Sequence, residues 1–177
     1  GVEGQEVNLT DDVVRRITAG FARWLGNKLS KRINEMKVAV GRDSRISGPR
    51  IAKIVTLTLS DYGIEVLDCG LATTPSMFMT TVELQCDAAI QITASHHPFN
   101  RNGLKFFTRQ GGLEGSDITE ILEFAQAGFT PVDALNGQMK QIDFMSRYAE
   151  ILCDVIKKGV NAEDYDYPLK GLHICVD

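Results

Sequence analysis

The sequence predicts a layered α/β/α domain with a mixed, mostly parallel sheet, followed by the first helix and strand of an incomplete second domain. Two observations support this fold class. Short β-rich runs alternate with amphipathic helical segments along the chain, which is typical of domains built on parallel strands. The run 88–93 is almost continuously apolar, as expected for a strand that is covered on both faces.

The first element is predicted as a long helix over 9–30. Thr10 suits the N-cap position, and Asp11 and Asp12 complement the helix dipole in the first turn. Apolar residues follow at helical spacing. The next elements are predicted, in order, as a strand at 36–41, a helix at 47–61, a strand at 64–67, a helix at 74–84, strands at 88–93 and 104–107, and a helix at 117–127.

The strand at 104–107 has its own expected pairing. The loop before it is too short for the crossover that joins parallel strands, so we expect this strand to pair antiparallel at an edge of the sheet. With the helix that follows, the first domain is expected to cover residues 1–135.

The second domain is predicted over 141–177. The interval 128–140 contains Gly, Thr, Pro and Asn in loose order, which favours a linker. An amphipathic helix at 142–158 and an apolar strand at 169–177 follow it. Because a lone strand needs a sheet partner, we expect the chain to stop at the threshold of this second domain.

Composition excludes several classes of protein. The 177 residues carry a net charge of −4, which argues against a general nucleic-acid binder. No apolar run approaches the roughly 20 residues of a membrane-spanning helix. These features favour a cytoplasmic enzyme, with an organelle as the alternative. Four cysteines form no CxxC pair and are predicted to be buried free thiols rather than zinc ligands or disulfides: Cys69, Cys86, Cys153 and Cys175.

A locally positive segment follows the most apolar strand. No acidic residue occurs between Asp87 and Glu114. The same interval holds several basic or titratable side chains: His96, His97, Arg101, Lys105 and Arg109. Such a field attracts anions, and ligands of open α/β sheets bind beyond the carboxyl ends of the strands. The segment is therefore predicted to be an anion site.

Ser95 is predicted to carry a phosphoryl group in this segment. A phosphoserine has about −1.5 to −2 charges and needs basic groups without carboxylates around it. Lys105 would stabilise the transferred charge, and a histidine would handle the proton of a sugar hydroxyl. Two alternatives remain open: Ser95 as a turn residue, and a serine hydrolase, for which no GxSxG elbow is present.

A second loop, Gly41–Gly48, follows the first predicted strand and runs into a helix. If the two strands are parallel neighbours, both loops open on the same edge of the sheet. Free N–H groups at the helix start would then bind phosphate. The alternative, favoured for this loop alone, is that Asp43 and Ser47 brace turns while Arg42 and Arg45 pair with them.

The run Thr93–Lys105 closely resembles the phosphoserine loop of the α-D-phosphohexomutases, the phosphoglucomutase/phosphomannomutase family. This sequence reads T-A-S-H-H-P-F-N-R-N-G-L-K where that family has T-[AG]-S-H-N-P, a few residues, and N-G-[FLIMY]-K. Gly41–Gly48 resembles a second family element, G-R-D-x-R-x-S-G. The resemblance covers roughly Leu9 to Asp177. It implies that Ser95 is phosphorylated in the resting enzyme and that its phosphate oxygen binds Mg²⁺.

The resemblance also implies a reaction and a set of roles. The phosphoryl group passes from Ser95 to a hexose phosphate, and the resulting bisphosphate reorients and returns its other phosphate. His96 matches the acid/base residue and Lys105 the charge-stabilising residue. Substrate or phosphate binding is assigned to His97, Arg42, Arg45, Asn102 and Arg101. Arg42 and Arg45 match the family's G-R-D-x-R element, which looks more like active-site scaffolding than direct chemistry. The resemblance leaves open which hexose phosphate is preferred.

The sequence departs from the family pattern in two respects. His97 stands where the family usually has Asn, which adds bulk and a titratable group. The D-I-R-G and D-G-D-G-D-R elements of the family are not in these 177 residues. Because Mg²⁺ takes about six oxygen ligands, its site is expected to be incomplete here, and this chain alone is expected to lack useful turnover. A non-catalytic sugar-phosphate-binding module is therefore the main alternative.

Overall fold

The computed structural model describes residues 8–128 and 136–175. The chain divides into two compact units, residues 1–144 and residues 145–177. The first unit contains one six-stranded sheet in the order β5-β4-β3-β1-β2-β6. Its strands are β1 Lys37–Arg42, β2 Glu65–Leu71, β3 Ala88–Ile92, β4 Leu104–Thr108, β5 Gly111–Gly112 and β6 Met139–Gln141.

The sheet is mixed, as the sequence predicts. Strand β1 pairs parallel with β2 and with β3, and β2 pairs parallel with β6. Strand β4 pairs antiparallel with β3, which confirms the predicted pairing, but it does not lie at the edge of the sheet as predicted. The two-residue strand β5 takes the edge position beside it.

The described residues form five α-helices: α1 Asp11–Leu29, α2 Gly48–Asp61, α3 Thr74–Glu83, α4 Gly115–Ala127 and α5 Phe144–Val160. The N-cap of α1 is Thr10, whose hydroxyl accepts a hydrogen bond from the N–H of Val13 at 3.3 Å. A capping box between Thr73 and Ser76 fixes the start of α3. Helix α5 lies in the second unit apart from its first residue.

Two adjacent phenylalanines of β4 show how the layers are arranged. Phe106 stacks on Phe21 of α1, with ring centroids 4.6 Å apart. Phe107 meets Phe78 of α3 edge-on at 6.3 Å. Since consecutive side chains of a strand point to opposite faces, α1 and α3 cover opposite faces of the sheet. The layered α/β/α arrangement is therefore confirmed.

Gly20 allows α1 and α4 to approach closely. A Cβ at this position would lie 2.4 Å from the carbonyl oxygen of Ile121 and 2.9 Å from the backbone nitrogen of Ala125. Because backbone atoms cannot move aside as flexible side chains can, Gly20→Ala is expected to lower the free energy of unfolding by about 1–3 kcal/mol. Denaturant unfolding measures this change.

Gly115→Ala is the matched control, since a Cβ at the start of α4 would meet nothing within 4 Å. This variant is expected to unfold like the wild type or slightly later, because alanine is the better helix former. Equal stability of the two variants would contradict the close contact at Gly20.

The structure corrects two predictions for the later part of the chain. The interval predicted as a linker contributes Met139 and Lys140 to β6, while residues 129–135 lie outside the described residues. Hydrogen bonds with β2 create this strand, as in Val66 N–H to Gln138 O at 2.8 Å. The strand predicted over 169–177 is not formed in residues 169–175, which make turns and irregular structure instead. A strand forms by pairing, and the described residues of the second unit offer it no partner.

The prediction of four buried thiols is half right. Cys69 and Cys86 are buried in the first unit, whereas Cys153 and Cys175 are exposed, and all four are free. The surroundings of the last two are apolar in sequence, yet α5 leaves several apolar side chains open to solvent: Leu152, Val155, Ile156 and Val160. Within the described ranges, no helix combines the length and apolar character that a membrane crossing requires.

Burial gives the cysteines very different reactivity. It raises the pKa of Cys69 to about 12 and that of Cys86 to about 11. At pH 8, an alkylating reagent that reacts with thiolates is therefore expected to modify only Cys153 and Cys175 in the folded protein. After unfolding it is expected to modify all four cysteines. Peptide mass spectrometry after labelling identifies the sites, and rapid labelling of Cys69 in the folded protein would contradict its burial.

The raised pKa values also predict how stability changes with pH. The folded protein holds these two thiols neutral. Their contribution to the free energy of unfolding is therefore fully present below the pKa of an unfolded cysteine, about 8.5. It is lost as the pH rises towards the folded values of about 11 and 12.

Candidate active site

Two loops meet at the carboxyl edge of the sheet. The Asp43 loop (residues 43–47) follows β1, and the Ser95 loop (residues 93–103) follows β3, the parallel neighbour of β1. The N–H of Asp43 donates to the carbonyl oxygen of Ile92 at 3.1 Å, which ties the beginnings of the two loops together. The sequence expectation that both loops open on one edge is thus met.

Ser95 lies on the solvent side of this edge and is exposed. Its backbone has a φ of 54°, in the left-handed region that residues with a Cβ rarely adopt. Tight turns surround it, with the N–H of His97 donating to Ala94 O at 3.0 Å and that of Arg101 to Pro98 O at 2.9 Å. A phosphoryl donor in solution can therefore reach the Ser95 side chain.

The Asp43 carboxylate lies between the two loops. Its Oδ2 accepts hydrogen bonds from Thr93 Oγ1 at 2.6 Å and from Arg45 Nε at 2.8 Å, and its Oδ1 accepts one from the Arg45 N–H at 3.2 Å. Thr93 Oγ1 in turn accepts a hydrogen bond from the N–H of Ser95 at 3.0 Å. One carboxylate thus links both loops to the backbone of Ser95.

The Arg45 side chain binds the carbonyl groups of the Ser95 loop. Only 9% of it is exposed, and its Nη2 donates to the carbonyl oxygen of Ser95. Its Nη1 lies within hydrogen-bond distance of three more carbonyl oxygens: those of His97 (2.8 Å), Pro98 (2.6 Å) and Arg101 (3.1 Å). The pairing of Arg45 with Asp43 agrees with the alternative that the sequence left open for this loop.

His96 and His97 are both exposed and stack on each other, with ring centroids 4.9 Å apart. His97 Nδ1 lies 3.5 Å from Arg101 Nη1. Because a guanidinium only donates hydrogen bonds, this contact requires Nδ1 to be the acceptor, which places the proton of a neutral ring on Nε2. The two histidines and Arg101 therefore form one basic group on the open side of the Ser95 loop.

Asn102 fixes the far end of the Ser95 loop. It is buried, its Nδ2 donates to Ser47 Oγ at 3.1 Å, and its Oδ1 accepts from the N–H of Gly103 at 2.9 Å. The N–H of Thr93 closes the loop by donating to Gly103 O at 3.0 Å. Asn102 thus connects both loops from beneath, and its predicted contact with phosphate stays a prediction.

Lys105 and Arg42 flank the two loops. Lys105 lies in β4 opposite Gln91, is exposed, and shares a sheet face with Phe107 and α3. Arg42 ends β1, and its Nη1 donates to the carbonyl oxygen of Asp43 at 3.2 Å. Lys105 thus follows the Ser95 loop in the chain and Arg42 contacts the Asp43 loop, and the contact of either side chain with a phosphate stays a prediction.

The start of α2 offers fewer free donors than the sequence suggests. The N–H of Gly48 donates to Arg45 O at 2.9 Å, and Pro49 has no N–H. Ser47, predicted to brace the turn, makes no side-chain cap bond to this helix and instead accepts from Asn102. Phosphate binding by this helix start therefore has less support than binding by the Ser95 loop.

Comparison with known proteins identifies the domain that carries the two loops. Residues 1–130 match the family model described as phosphoglucomutase/phosphomannomutase, alpha/beta/alpha domain I. The chain belongs to the phosphoglucomutase/phosphomannomutase family. The matched residues include all of the loop residues described above.

Individual members of the phosphoglucomutase/phosphomannomutase family are similar to the chain. It is 34% identical over 155 residues to a phosphoglucosamine mutase of Chlamydia pneumoniae, covering 82% of this chain and 31% of that protein. It is 40% identical over 123 residues to a phosphoglucosamine mutase of Alkaliphilus metalliredigens, covering 70% of this chain and 28% of that protein. The chain thus spans about a third of the length of these curated relatives.

Solved structures show the same fold. A phosphoglucomutase/phosphomannomutase family protein from Burkholderia thailandensis matches with a TM-score of 0.72 and 27% identity, covering 88% of this chain and 34% of that one. A structure described as a phosphomannomutase from Thermus thermophilus matches with a TM-score of 0.73 and 23% identity, covering 90% and 35%. At that identity the second likeness shows the fold alone.

The family resemblance implies a bound Mg²⁺, but the described residues do not supply a full set of ligands for it. Over the described parts of the chain, no three His, Cys, Asp or Glu side chains come together in a group able to hold a metal ion. The Asp43 carboxylate is bound by Thr93 and Arg45. These residues therefore do not fit a complete magnesium site.

Sequence reasoning missed Thr93 as part of this site. The Thr93 side chain accepts from the N–H two residues further on, a pattern that Ser and Thr side chains commonly make in turns. A hydroxyl residue two positions before Ser95 could have predicted this contact from the sequence. Nothing in the sequence marks the other partners of Arg45, because they are backbone carbonyl groups.

Proposed function

We propose that this chain carries the phosphoryl group of a phosphohexomutase on Ser95. The Ser95 phosphoryl group passes to the free hydroxyl of a hexose phosphate, whose proton is taken up by a base. The bisphosphate then reorients and returns its other phosphoryl group to Ser95, which interconverts hexose 1-phosphate and hexose 6-phosphate. The observation that carries this proposal is the exposed Ser95, held in a left-handed turn at the carboxyl edge of the sheet.

The charges around Ser95 support a phosphoserine. No acidic residue occurs between Asp87 and Glu114, and the Asp43 carboxylate beneath the loop is paired with Arg45. His96, His97 and Arg101 lie on the open side. A dianion on the Ser95 oxygen would therefore meet positive charge without an unpaired carboxylate in the loop.

Residue roles follow from the chemistry of each group. We propose that His96 moves the proton of the sugar hydroxyl and that Lys105 stabilises the charge of the transferred phosphoryl group. Arg42, His97, Arg101 and Asn102 are proposed to contact phosphate. Mg²⁺ is part of the proposal: the phosphate on Ser95 would supply it with one oxygen ligand, and the described residues do not complete its site.

We propose glucosamine phosphate as the first hexose phosphate to test. This choice rests on the names of the relatives, several of which are phosphoglucosamine mutases. Glucose and mannose phosphates are the competing substrates, because the matched family includes phosphoglucomutases and phosphomannomutases. A cytoplasmic location remains part of the proposal.

The test is phosphorylation of Ser95 in the full-length protein. The purified protein is incubated with a hexose 1,6-bisphosphate and Mg²⁺, and phosphopeptides are mapped by mass spectrometry. We expect one phosphoryl group on Ser95, which is lost when hexose 6-phosphate is added. Tight binding of the sugar phosphate without phosphate on Ser95 would instead support a non-catalytic sugar-phosphate-binding module.

A further inference from the structure

We propose that Asp43 is a positioning residue that fixes the backbone of Ser95 through two arms, Thr93 and Arg45, without touching the substrate. No comparison assigns a role to Asp43 or Thr93. The kinetic part of this inference rests on the proposed function, whereas the structural part stands without it. Asp43, Thr93 and Arg45 are together called the Asp43 hub.

The first arm of the Asp43 hub runs through Thr93 to the N–H of Ser95. The Thr93 hydroxyl has one proton, and the 2.6 Å contact directs it to Asp43 Oδ2. A hydroxyl that donates to a carboxylate keeps its lone pairs for an incoming donor, which here is the Ser95 N–H at 3.0 Å. The charge on Asp43 therefore sets the direction of both hydrogen bonds.

The second arm runs through Arg45 to the carbonyl group of Ser95. Asp43 Oδ2 accepts from Arg45 Nε at 2.8 Å, which fixes the plane of the guanidinium. In that plane the Nη atoms reach the carbonyl oxygen of Ser95 and three others of the loop. The Asp43 carboxylate and these carbonyl oxygens already occupy the donors of Arg45. Arg45 therefore holds the shape of the loop, which leaves it fewer donors for its predicted role as a direct phosphate ligand.

The two arms explain how Ser95 keeps an unfavourable backbone conformation. A φ of 54° costs free energy for a residue with a Cβ, so the surroundings must hold it. The arms bind both polar groups of the Ser95 backbone, its N–H and its C=O. Without them, Ser95 is free to relax to a negative φ, which would turn its side chain away from the open side of the loop.

Four variants test this inference. Thr93→Val removes the hydroxyl at nearly constant shape, Thr93→Ser keeps it, and Asp43→Asn removes the charge that directs both arms. The matched control is Asp87→Asn. Asp87 is also a carboxylate that holds a backbone N–H, that of Lys37 at 2.8 Å, but it precedes β3 and so lies at the amino edge of the sheet, opposite the Ser95 loop.

The first measurement does not depend on catalysis. Hydrogen exchange of the Ser95 N–H is followed at single-residue resolution in the full-length protein, under conditions where all variants remain folded. We expect exchange about 10-fold faster than wild type in Thr93→Val and Asp43→Asn. Thr93→Ser and Asp87→Asn should exchange like the wild type. Wild-type exchange in Thr93→Val and Asp43→Asn would overturn the proposal.

The second measurement separates positioning from a general structural role. In the mutase assay, we expect Thr93→Val and Asp43→Asn to lower kcat about 100-fold with little change in KM, because the bound sugar then faces a misplaced hydroxyl. Thr93→Ser should restore kcat, and Asp87→Asn should leave it unchanged. Faster exchange with an unchanged kcat would overturn the positioning role.

The two proposals fail in different ways. A wild-type protein without turnover and without phosphate on Ser95 would refute the proposed function. The exchange measurement would then decide alone whether the Asp43 hub holds the backbone of Ser95. A wild-type protein with full turnover, together with unaffected Thr93→Val and Asp43→Asn variants, would refute the hub and leave the proposed function in place.

Discussion

Replacing Ser95 by alanine is expected to lower kcat for the interconversion of hexose phosphates at least about 1,000-fold. Without the hydroxyl no phosphoryl group can be stored on the protein, and the proposed reaction has no route to the bisphosphate. The fold should be unaffected, because the side chain is exposed and a hydrogen bond to its hydroxyl plays no part in the loop contacts described above. Initial rates of the full-length protein and circular dichroism measure the two effects separately.

Ser116→Ala is the matched control for Ser95→Ala. Ser116 is also exposed, but it lies in the first turn of α4, outside the Ser95 and Asp43 loops. We expect this variant to keep wild-type turnover and to be phosphorylated on Ser95 like the wild type. Wild-type turnover in Ser95→Ala would show that another group carries the phosphate or that the reaction needs no carrier.

The second large effect is expected on stability. Phe21 is fully buried, stacks on Phe106 at 4.6 Å and lies 6.0 Å from the ring of Trp24. Phe21→Ala removes most of a large side chain where α1 packs on the sheet, and the cavity left behind can close only in part. The free energy of unfolding is expected to fall by about 3–5 kcal/mol, which urea denaturation measures.

Phe99→Ala is the comparison for Phe21→Ala. Phe99 is 68% exposed, so removal of its ring is expected to change the free energy of unfolding by less than about 0.5 kcal/mol. The same substitution should thus give very different results at two positions because burial differs. Equal effects at both positions would contradict the packing of α1 against the sheet.

The parts of the fold that the sequence predicts are those with a strong local pattern. Helix α1 has both a cap at Thr10 and helical spacing of apolar residues, and β3 has an apolar run that is buried throughout. Strand β6 escaped prediction because its three residues are all exposed and two of them are polar, so no alternation marks it. Its strand conformation comes from hydrogen bonds with β2, which is far away in sequence.

The strand predicted over 169–177, which is not formed in residues 169–175, is the opposite error. Its apolar residues gave a local signal for a strand, and Leu172 and Ile174 are indeed apolar, but both are exposed in irregular structure. A strand exists only through its neighbours in a sheet. Local sequence therefore overstated this element for the same reason that it understated β6.

For the candidate site, sequence reasoning located the loops but did not identify every partner of their side chains. Ser95, its histidines and the neighbouring Asp43 loop are marked by residue type and charge, and the structure brings them to one edge. The sequence left both phosphate and pairing within its own loop open as partners of Arg45, and the structure shows Asp43 and four carbonyl groups around it. A sequence identifies side chains, but it does not show which backbone carbonyl groups a side chain will bind.

The choice of carbonyl groups as partners of Arg45 has a consequence for how this loop can evolve. Every amino acid has a backbone carbonyl oxygen. The guanidinium therefore binds the loop through its backbone, whatever side chains the loop carries. The family's usual Asn and the His97 of this chain offer Arg45 the same acceptor. Side chains at the tip of the loop can therefore be exchanged while the backbone of Ser95 keeps its place.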